Sequence, residues 1–146
     1  MAKAFSIEDG NLNVKTIRSS RSVDFLDLDL SFSARPSGDI FKKSDAAAVK
    51  QAVKNLLLTN ITEKPFNSQF GGNLNDFLFE LDTSTDANLL ATRIVECIQL
   101  YEPRARVIDI DINLFPNKNE VKVTVQFQVV STSELVTLDL SLTRLR

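Results

Sequence analysis

Glu102, Pro103 and Arg104 place an acid, a rigid joint and a base side by side in the sequence. Proline lacks the amide hydrogen that a helix interior needs and disfavours helical geometry in the residue before it. We therefore expect the preceding helix to end at about Tyr101 or Glu102. A carboxylate and a guanidinium fixed at such a corner can present opposite charges to a partner. The alternative is an exposed ion pair that only finishes the helix, which typically contributes about 0–1 kcal/mol.

The acidic residues raise the question of glycoside hydrolysis, which needs one carboxyl group with a raised pKa and a second one at a fixed distance. Four acids fall at the outward positions of strand patterns, where water keeps them ionised: Asp27, Asp29, Asp109 and Asp111. Three others lie in or near helical stretches without any forced pairing: Glu63, Glu80 and Glu96. We interpret these residues as solvated acids rather than as a catalytic pair.

Histidine is absent and cysteine occurs once, at Cys97. The commonest general base and metal ligand is therefore missing. A single cysteine cannot form an internal disulfide, which fits folding in a reducing compartment. Because Cys97 lies on the apolar side of a helical pattern, we interpret it as a core residue rather than a nucleophile. The sequence predicts no catalytic residue, no metal site and no cofactor.

Length and charge limit the classes of protein to which this chain can belong. The 146 residues suffice for one domain with a core, and a net charge of -2 favours neither nucleic acid nor anionic membrane. The basic residues of segment 1–23 have no interleaved aromatics, so they indicate nucleic-acid binding only weakly. No apolar run approaches the roughly 20 residues that span a bilayer, and the N-terminus lacks a signal-peptide core. We expect a protein made in a cytoplasm, with no nucleic-acid or membrane partner.

Periodicity divides the chain into an N-terminal arm, residues 1–23, and one domain, residues 24–146. The arm is polar without a sustained period, so we expect it to be extended or ordered by a partner. Four period-two segments in the domain predict strands. Their inward residues are expected to be Leu26, Leu28, Leu30 and Phe32; Ile108, Ile110, Ile112 and Leu114; Val121, Val123, Val125, Phe127 and Val129; and Val136, Leu138, Leu140 and Leu142.

Helical spacing predicts two main helices. The first is capped by Ser44 and runs to about Thr59, and the second begins near residues 82–85 and ends at the Glu-Pro-Arg corner. Their buried sides are expected to carry Val49, Val53, Leu56 and Leu57, and Leu89, Leu90, Ile94, Cys97 and Ile98, with Tyr101 half-buried. Between them we expect a loop over residues 60–72 pinned by its aromatics, a Gly71-Gly72 turn rather than an anion site, and a short helix from Asn73 to about Leu81.

The predicted fold class is α+β: a mainly antiparallel sheet of about four strands, two or three helices packed on one face, and an extended N-terminal arm. The closing strand, residues 136–143, has no proline and only one outward charge, so its edge is poorly protected. Such an edge is a liability unless an incoming strand uses it. The candidate partner-binding residues are Glu102, Pro103 and Arg104 at the corner, and Thr137, Asp139 and Ser141 on this strand.

Four segments, in this order and at these spacings, resemble the sheath-initiator family of contractile-tail baseplates, with members in T-even-like phages and type VI secretion baseplates. Residues 27–32 resemble its early strand. Residues 47–59 resemble its first helix, which ends in the pattern Leu-Leu-x-Thr. Residues 63–71 resemble its Gly-Glu-Arg-x-x-x-Pro-x-Phe-Gly loop, and residues 102–104 match its most diagnostic tripeptide. The chain departs from the loop pattern, with Thr62 in place of glycine, Lys64 in place of arginine, and an early Pro65.

The resemblance implies a structural component of a baseplate wedge, assembled in the host cytoplasm and resident in the tail baseplate. The corner would grip a helical core bundle of other wedge proteins, and a sheet edge would template the first ring of tail sheath by strand sharing. The tail tube is a further candidate partner. Because some family members carry a lysozyme name, the alternative is a lysozyme-like glycoside hydrolase associated with the baseplate.

Overall fold

The computed structural model describes residues 25–77, 84–115 and 120–143. The predicted arm, residues 1–23, and the predicted continuation of the short helix to Leu81 lie outside these ranges. In chain order the elements are β1 (Leu26–Leu28), β2 (Lys42–Ser44), α1 (Asp45–Leu58), α2 (Leu74–Phe77), α3 (Ser84–Tyr101), β3 (Ala105–Phe115), β4 (Glu120–Val129) and β5 (Leu135–Thr143).

The strands β3, β4 and β5 form an antiparallel sheet in that order, with β4 at its centre. All five inward residues predicted for β4 are buried, which confirms its period of two. On β5, Leu138, Leu140 and Leu142 are buried and Val136 packs at the margin of the core. The intervening polar residues of these strands face the other side of the sheet, which is solvated.

The helices α1 and α3 cover the apolar face of this sheet. α1 buries the four residues predicted for it, and α3 buries Leu90, Ile94, Cys97 and Ile98. The two stripes meet the β4 and β5 side chains in one core. The predicted α+β class is therefore confirmed, and α3 ends at Tyr101, where the proline rule places its end.

The prediction for the first strand is wrong in length and in orientation. β1 has three residues. Within the described residues it pairs only with β2, so the main sheet there has three strands rather than four and the hairpin forms a sheet of its own. The leucines expected inside are exposed: Leu26 is 63% exposed, Leu28 50% and Leu30 48%. Phe32, which follows β1, is 66% exposed. An apolar stripe thus lies on the outer surface of the hairpin.

Polar contacts explain this inversion. Gln51 of α1 is buried, and its Nε2 donates to the carbonyl oxygen of Leu28 at 2.7 Å. Lys43 Nζ donates to Gln51 Oε1 at 2.8 Å and lies 3.0 Å from Oδ1 of Asp29. Because α1 offers a glutamine at this position, the polar side of the hairpin packs against the helix. The leucine side is left outside.

Two single residues also differ from prediction. The pairing register of β3 shifts between Val107 and Asp109, so Val107 packs against the core and Ile108 is 55% exposed. Such a bulge reverses the faces of the residues beside it. Leu89, expected on the buried side of α3, is 59% exposed.

Candidate functional site

The first candidate surface is the corner where α3 turns into β3. The amide of Glu102 donates to the Ile98 carbonyl at 2.8 Å, which completes the last helical bond. The Glu102 carbonyl then accepts from the amide of Ala105 at 3.0 Å, so Pro103 and Arg104 occupy a tight turn. Pro103 is exposed at this turn, where its missing donor costs nothing. The sequence therefore builds a rigid joint between helix and strand.

Glu102 and Arg104 pair with each other at this corner. Arg104 donates from Nε to Oε1 of Glu102 at 2.5 Å and from Nη2 to Oε2 at 2.7 Å, a two-point contact between fork and carboxylate. This hydrogen bonding raises the pKa of Arg104. The Glu102 side chain is 9% exposed and that of Arg104 is 37% exposed. The Glu102 carboxylate is therefore buried, whereas one edge of the Arg104 guanidinium remains exposed to solvent.

Three elements fix the direction of Arg104. Its guanidinium carbon lies 5.1 Å from the centre of the Phe25 ring, a cation–π contact. Its backbone carbonyl accepts from the amide of Val130, just after β4, at 3.0 Å. Asp27 adds a favourable charge nearby. A guanidinium has more N–H donors than Glu102 uses, so the solvent edge is available to a carboxylate or to carbonyl groups of another protein.

The loop between α1 and α2 packs beside the same end of α3. Tyr101 donates its hydroxyl hydrogen to the Gln69 carbonyl at 2.8 Å, and its ring meets Phe70 edge to face at 5.1 Å. Lys64 places its ammonium 3.8 Å from the centre of the Phe70 ring. Phe70 therefore pins the loop as expected. Phe66 does not, because its side chain is fully exposed.

Close backbone contacts hold the base of this loop. Glu63 accepts hydrogen bonds from the backbone amide and from Nδ2 of Asn60, both at 2.8 Å, and these bonds lower the pKa of Glu63. A Cβ on Gly71, whose φ is +130°, would lie 2.4 Å from the Thr59 carbonyl oxygen. Gly72 donates to the Leu56 carbonyl at 3.1 Å. The glycine pair thus forms a turn packed against α1.

The second candidate surface is the open edge of β5. The amide of Val129 donates to the Glu134 carbonyl at 3.0 Å, which identifies this pair as hydrogen-bonded. Bonded and non-bonded pairs alternate along an antiparallel ladder, so residues such as Leu138 direct their backbone groups toward β4. The intervening residues direct theirs along the open edge, and these are the candidates from the sequence: Thr137, Asp139 and Ser141.

The two edges of the main sheet differ in protection. β3 carries a bulge and the exposed charges of Arg106, Asp109 and Asp111, features that discourage pairing with another strand. β5 has neither a bulge nor a proline. Its one charged residue, Asp139, accepts a hydrogen bond from Thr124 Oγ1 on the solvated face at 2.9 Å. β5 is therefore the edge better suited to accept a strand.

Among the described residues, Asp29 and Glu102 do not have the properties of a glycosidase pair, and Glu80 lies outside the described residues. Hydrogen bonds from the Ser31 amide and from Lys43 lower the pKa of Asp29, whereas a general acid needs a raised pKa. Glu102 has both carboxylate oxygens engaged by Arg104. Burial raises the pKa of the Cys97 thiol, opposite to the change that activates a nucleophile. Within the described ranges, no cluster of three His, Cys, Asp or Glu residues could hold a metal ion.

The structure places the predicted residues on two separate surfaces. Arg104 directly precedes β3 and Thr137 lies in β5, at opposite edges of the main sheet. Sequence reasoning missed Phe66 and the outward side of β1. For Phe66 a signal was present, since a phenylalanine next to Pro65 in a polar segment has few apolar neighbours to cover it. Among the described helices, none has the length and apolar character to cross a membrane.

Two comparisons with known sequences indicate the same family. The sequence profile described as baseplate wedge protein gp25 matches residues 43–134, which include the Glu-Pro-Arg corner. Baseplate wedge protein gp25 of Enterobacteria phage T4 is 23% identical over 96 residues, covering 66% of this chain and 73% of that protein.

Solved structures share the fold. A Geobacter sulfurreducens protein provisionally named a tail lysozyme has a TM-score of 0.60 at 18% identity, covering 67% of this chain and 89% of that one. A chain of the anti-feeding prophage baseplate has a TM-score of 0.59 at 22% identity, covering 80% and 83%. A chain of the postcontracted pyocin R2 baseplate has a TM-score of 0.51 at 15% identity, covering 82% and 99%.

Proposed function

This chain belongs to the gp25 family of baseplate wedge proteins, and we propose that it is a structural component of the baseplate wedge of a contractile tail. Its relatives include the T4 wedge protein and chains of two other baseplates. Two exposed contact surfaces support this role. Its place is the baseplate of a phage tail or a related contractile particle, after assembly in the host cytoplasm and without a cofactor.

The corner is the surface that we assign to the other wedge proteins. Arg104 is aimed by Glu102 and Phe25 and keeps part of its guanidinium in solvent. A fixed guanidinium suits a carboxylate or the free carbonyl groups at the end of a helix. We assign to it a grip on the helical core bundle of the wedge, with Pro103 holding the corner rigid.

The open edge of β5 is the surface that we assign to the tail sheath. An added strand gains main-chain hydrogen bonds with little regard to sequence, and alternating side chains fix its register. The single observation that carries this assignment is the outward direction of the backbone groups of Thr137, Asp139 and Ser141 on a strand without edge protection. The first sheath ring would copy its register from this strand. The tail tube is a further candidate neighbour.

Proline substitutions test the β5 assignment. Thr137→Pro and Ser141→Pro each remove one outward amide while leaving the buried face of β5 in place. We expect wedges to assemble and sheath polymerisation on the baseplates to fail. Thr137→Ala is the matched control, because it removes the side chain and keeps the amide. Normal sheath growth on both proline variants would rule out this edge as the template.

The lysozyme name of the Geobacter neighbour favours one alternative, a glycoside hydrolase associated with the baseplate. At 18% identity that likeness carries the fold and not the activity. We expect the purified protein to leave peptidoglycan intact in a turbidity assay. Cleavage that disappears when one carboxylate, such as Asp29 or Glu63, is changed to its amide would establish the alternative.

A further inference from the structure

A groove runs along the open edge of β5, between that strand and the exposed side of α1. At one end, Ala47 and Lys50 lie across from residues 134–137. Further along, Lys50 and Lys54 lie across from Leu138 and Asp139, in a depression of about 630 Å³ that is also lined by residues 29–31 after β1. α1 and β5 therefore run in the same direction. The groove occupies the position that a strand added to β5 would take.

Lys50 and Lys54 form a basic wall to this groove. Both are exposed, and within the part of the chain that the structure describes neither makes a salt bridge. Lys43 also lines the groove, but it forms a salt bridge with Asp29 and donates a hydrogen bond to Gln51. The groove thus offers two positive charges that no described acid pairs with in a salt bridge.

Three described acids also line the groove, and none of them forms a salt bridge with Lys50 or Lys54. Asp29 pairs with Lys43, and Glu134 lies at the end near Ala47 and Lys50. Asp139 follows buried Leu138 in β5, so its side chain projects from the opposite face of the sheet. There it accepts a hydrogen bond from Thr124. A strand added beside β5 would therefore meet positive charge on the face toward α1.

The spacing of the two lysines matches the repeat of a strand. Residues four apart on a helix are separated by about 6 Å along its axis. Alternate residues of a strand, which share a face, are separated by about 6.6 Å. Successive side chains on the α1 side of an added strand would therefore meet Lys50 and then Lys54, with Ala47 leaving room for a third.

We propose that the segment that pairs with β5 is an extended stretch of a sheath subunit with Asp or Glu at alternate positions, opposite Lys50 and Lys54. This inference rests on the proposed strand addition and defines which strand is accepted. Main-chain pairing alone admits almost any sequence, whereas the lysines favour carboxylates and disfavour basic side chains. A small or apolar side chain fits opposite Ala47.

Charge disfavours two other occupants of the groove. The arm of this chain, residues 1–23, carries four basic residues against Glu8 and Asp9, so like charges oppose its binding beside the lysines. A second copy joined edge to edge would bring Lys50 and Lys54 of each α1 to the same side of one continuous sheet. Inward lysines at an edge are a known means of preventing such pairing.

Charge reversal on assembled baseplates tests the proposal. Lys50→Glu and Lys54→Glu are compared with Lys122→Glu, an exposed lysine on the solvated face of the central strand. The first two should each raise the sheath concentration for half-maximal nucleation about fivefold, and high salt should shrink the difference. Lys122→Glu should nucleate like wild type. Circular dichroism first checks that each variant is folded.

Thr137→Pro in the same assay separates this proposal from the function on which it rests. If Thr137→Pro blocks nucleation while Lys50→Glu and Lys54→Glu behave like Lys122→Glu, strand addition stands and the selection of acidic segments is wrong. If Thr137→Pro and Ser141→Pro both nucleate sheath normally, the strand addition and the selection of acidic segments are both wrong. If Lys50→Glu and Lys54→Glu dimerise in sedimentation and still nucleate sheath normally, the lysines only protect the edge, which overturns the proposal.

Discussion

Arg104 holds its Nη2 atom 2.7 Å from Oε2 of Glu102, so the two charges of the corner satisfy each other before any partner arrives. Counted as a whole residue, Glu102 is 7% exposed, and its carboxylate has no other strong donor among the contacts of the described residues. Removing one member of such a pair leaves the other charge poorly solvated, which costs more than the pair itself contributes. The stability of the corner and its grip on a partner must therefore be measured with different variants.

The first prediction concerns the stability of this corner. Arg104→Ala should lower the free energy of unfolding by about 1–3 kcal/mol, because the Glu102 carboxylate loses both of its hydrogen bonds. The double change Glu102→Gln with Arg104→Met should cost less, since neither residue then carries a buried charge. Urea denaturation measures both. An Arg104→Ala protein as stable as wild type would mean that Glu102 is solvated without its partner.

The double variant then serves as the probe of wedge assembly. It keeps the fold and removes the guanidinium, so a failure to assemble reports the contact rather than the stability. Loss of a buried interprotein pair of this kind costs about 2–5 kcal/mol of binding. Normal assembly would mean that the ion pair only finishes α3.

The inverted hairpin gives the second prediction. Leu28→Ser should change the free energy of unfolding by less than about 0.5 kcal/mol, because Leu28 is 50% exposed. Leu138→Ser on β5 should cost about 2–5 kcal/mol, because Leu138 is 2% exposed. Thermal or urea unfolding compares the two. Equal losses would show that the leucine side of β1 is buried after all.

The contrast between these leucines shows what the sequence could and could not predict. Alternation on β4 and β5 predicts their faces correctly because the helices above them offer apolar stripes. On β1 the same alternation says only that the two faces differ. Which face meets the protein depends on Gln51, a buried polar residue of α1 that lies 23 positions after Leu28. Periodicity within one segment cannot contain that information.

For the candidate surfaces too, some features follow from local sequence rules and others depend on the tertiary structure. The corner follows from local rules, since Pro103 must end α3, and the tripeptide places an acid and a base beside it. That Glu102 and Arg104 bond to each other depends on the turn closed by Ala105. That β5 is an edge depends on strand order, which separates it from β3 by β4. The basic groove depends on the packing direction of α1.

The glycines provide a third prediction with a built-in control. Gly71→Ala should destabilise the protein by about 3 kcal/mol, because the new Cβ would collide with the Thr59 carbonyl at a positive φ. Gly38→Ala also introduces a side chain at positive φ, +82°, but nothing lies within 4 Å of the new atom. We expect it to cost only about 1 kcal/mol. Similar losses for the two variants would mean that Gly71 does not approach α1 closely.

Asp29 supplies a prediction on pH dependence. The Ser31 amide and Lys43 hold its pKa below the ordinary value in the folded state. Its contribution to stability is therefore present above the unfolded-state pKa, near 3.8, and is lost as the pH falls through the lower folded-state pKa. Asp29→Asn should flatten the acid limb of the stability profile. Lys43→Gln should flatten it only in part, because the Ser31 amide is the larger cause. An unchanged limb in Asp29→Asn would remove Asp29 from the acid transition.

The last prediction tests the direction of the β5 backbone directly. In the isolated protein, the amides of Leu138 and Leu140 should exchange slowly with deuterium because they bond to β4. Those of Thr137, Asp139 and Ser141 should exchange quickly because they face the open edge. Hydrogen exchange followed by NMR resolves this alternation residue by residue. Bound to sheath, the same three amides should become protected, whereas those of Leu138 and Leu140 should change little. Slow exchange at Thr137 and Ser141 in the isolated protein would mean that the edge is already occupied and is not free to receive a strand.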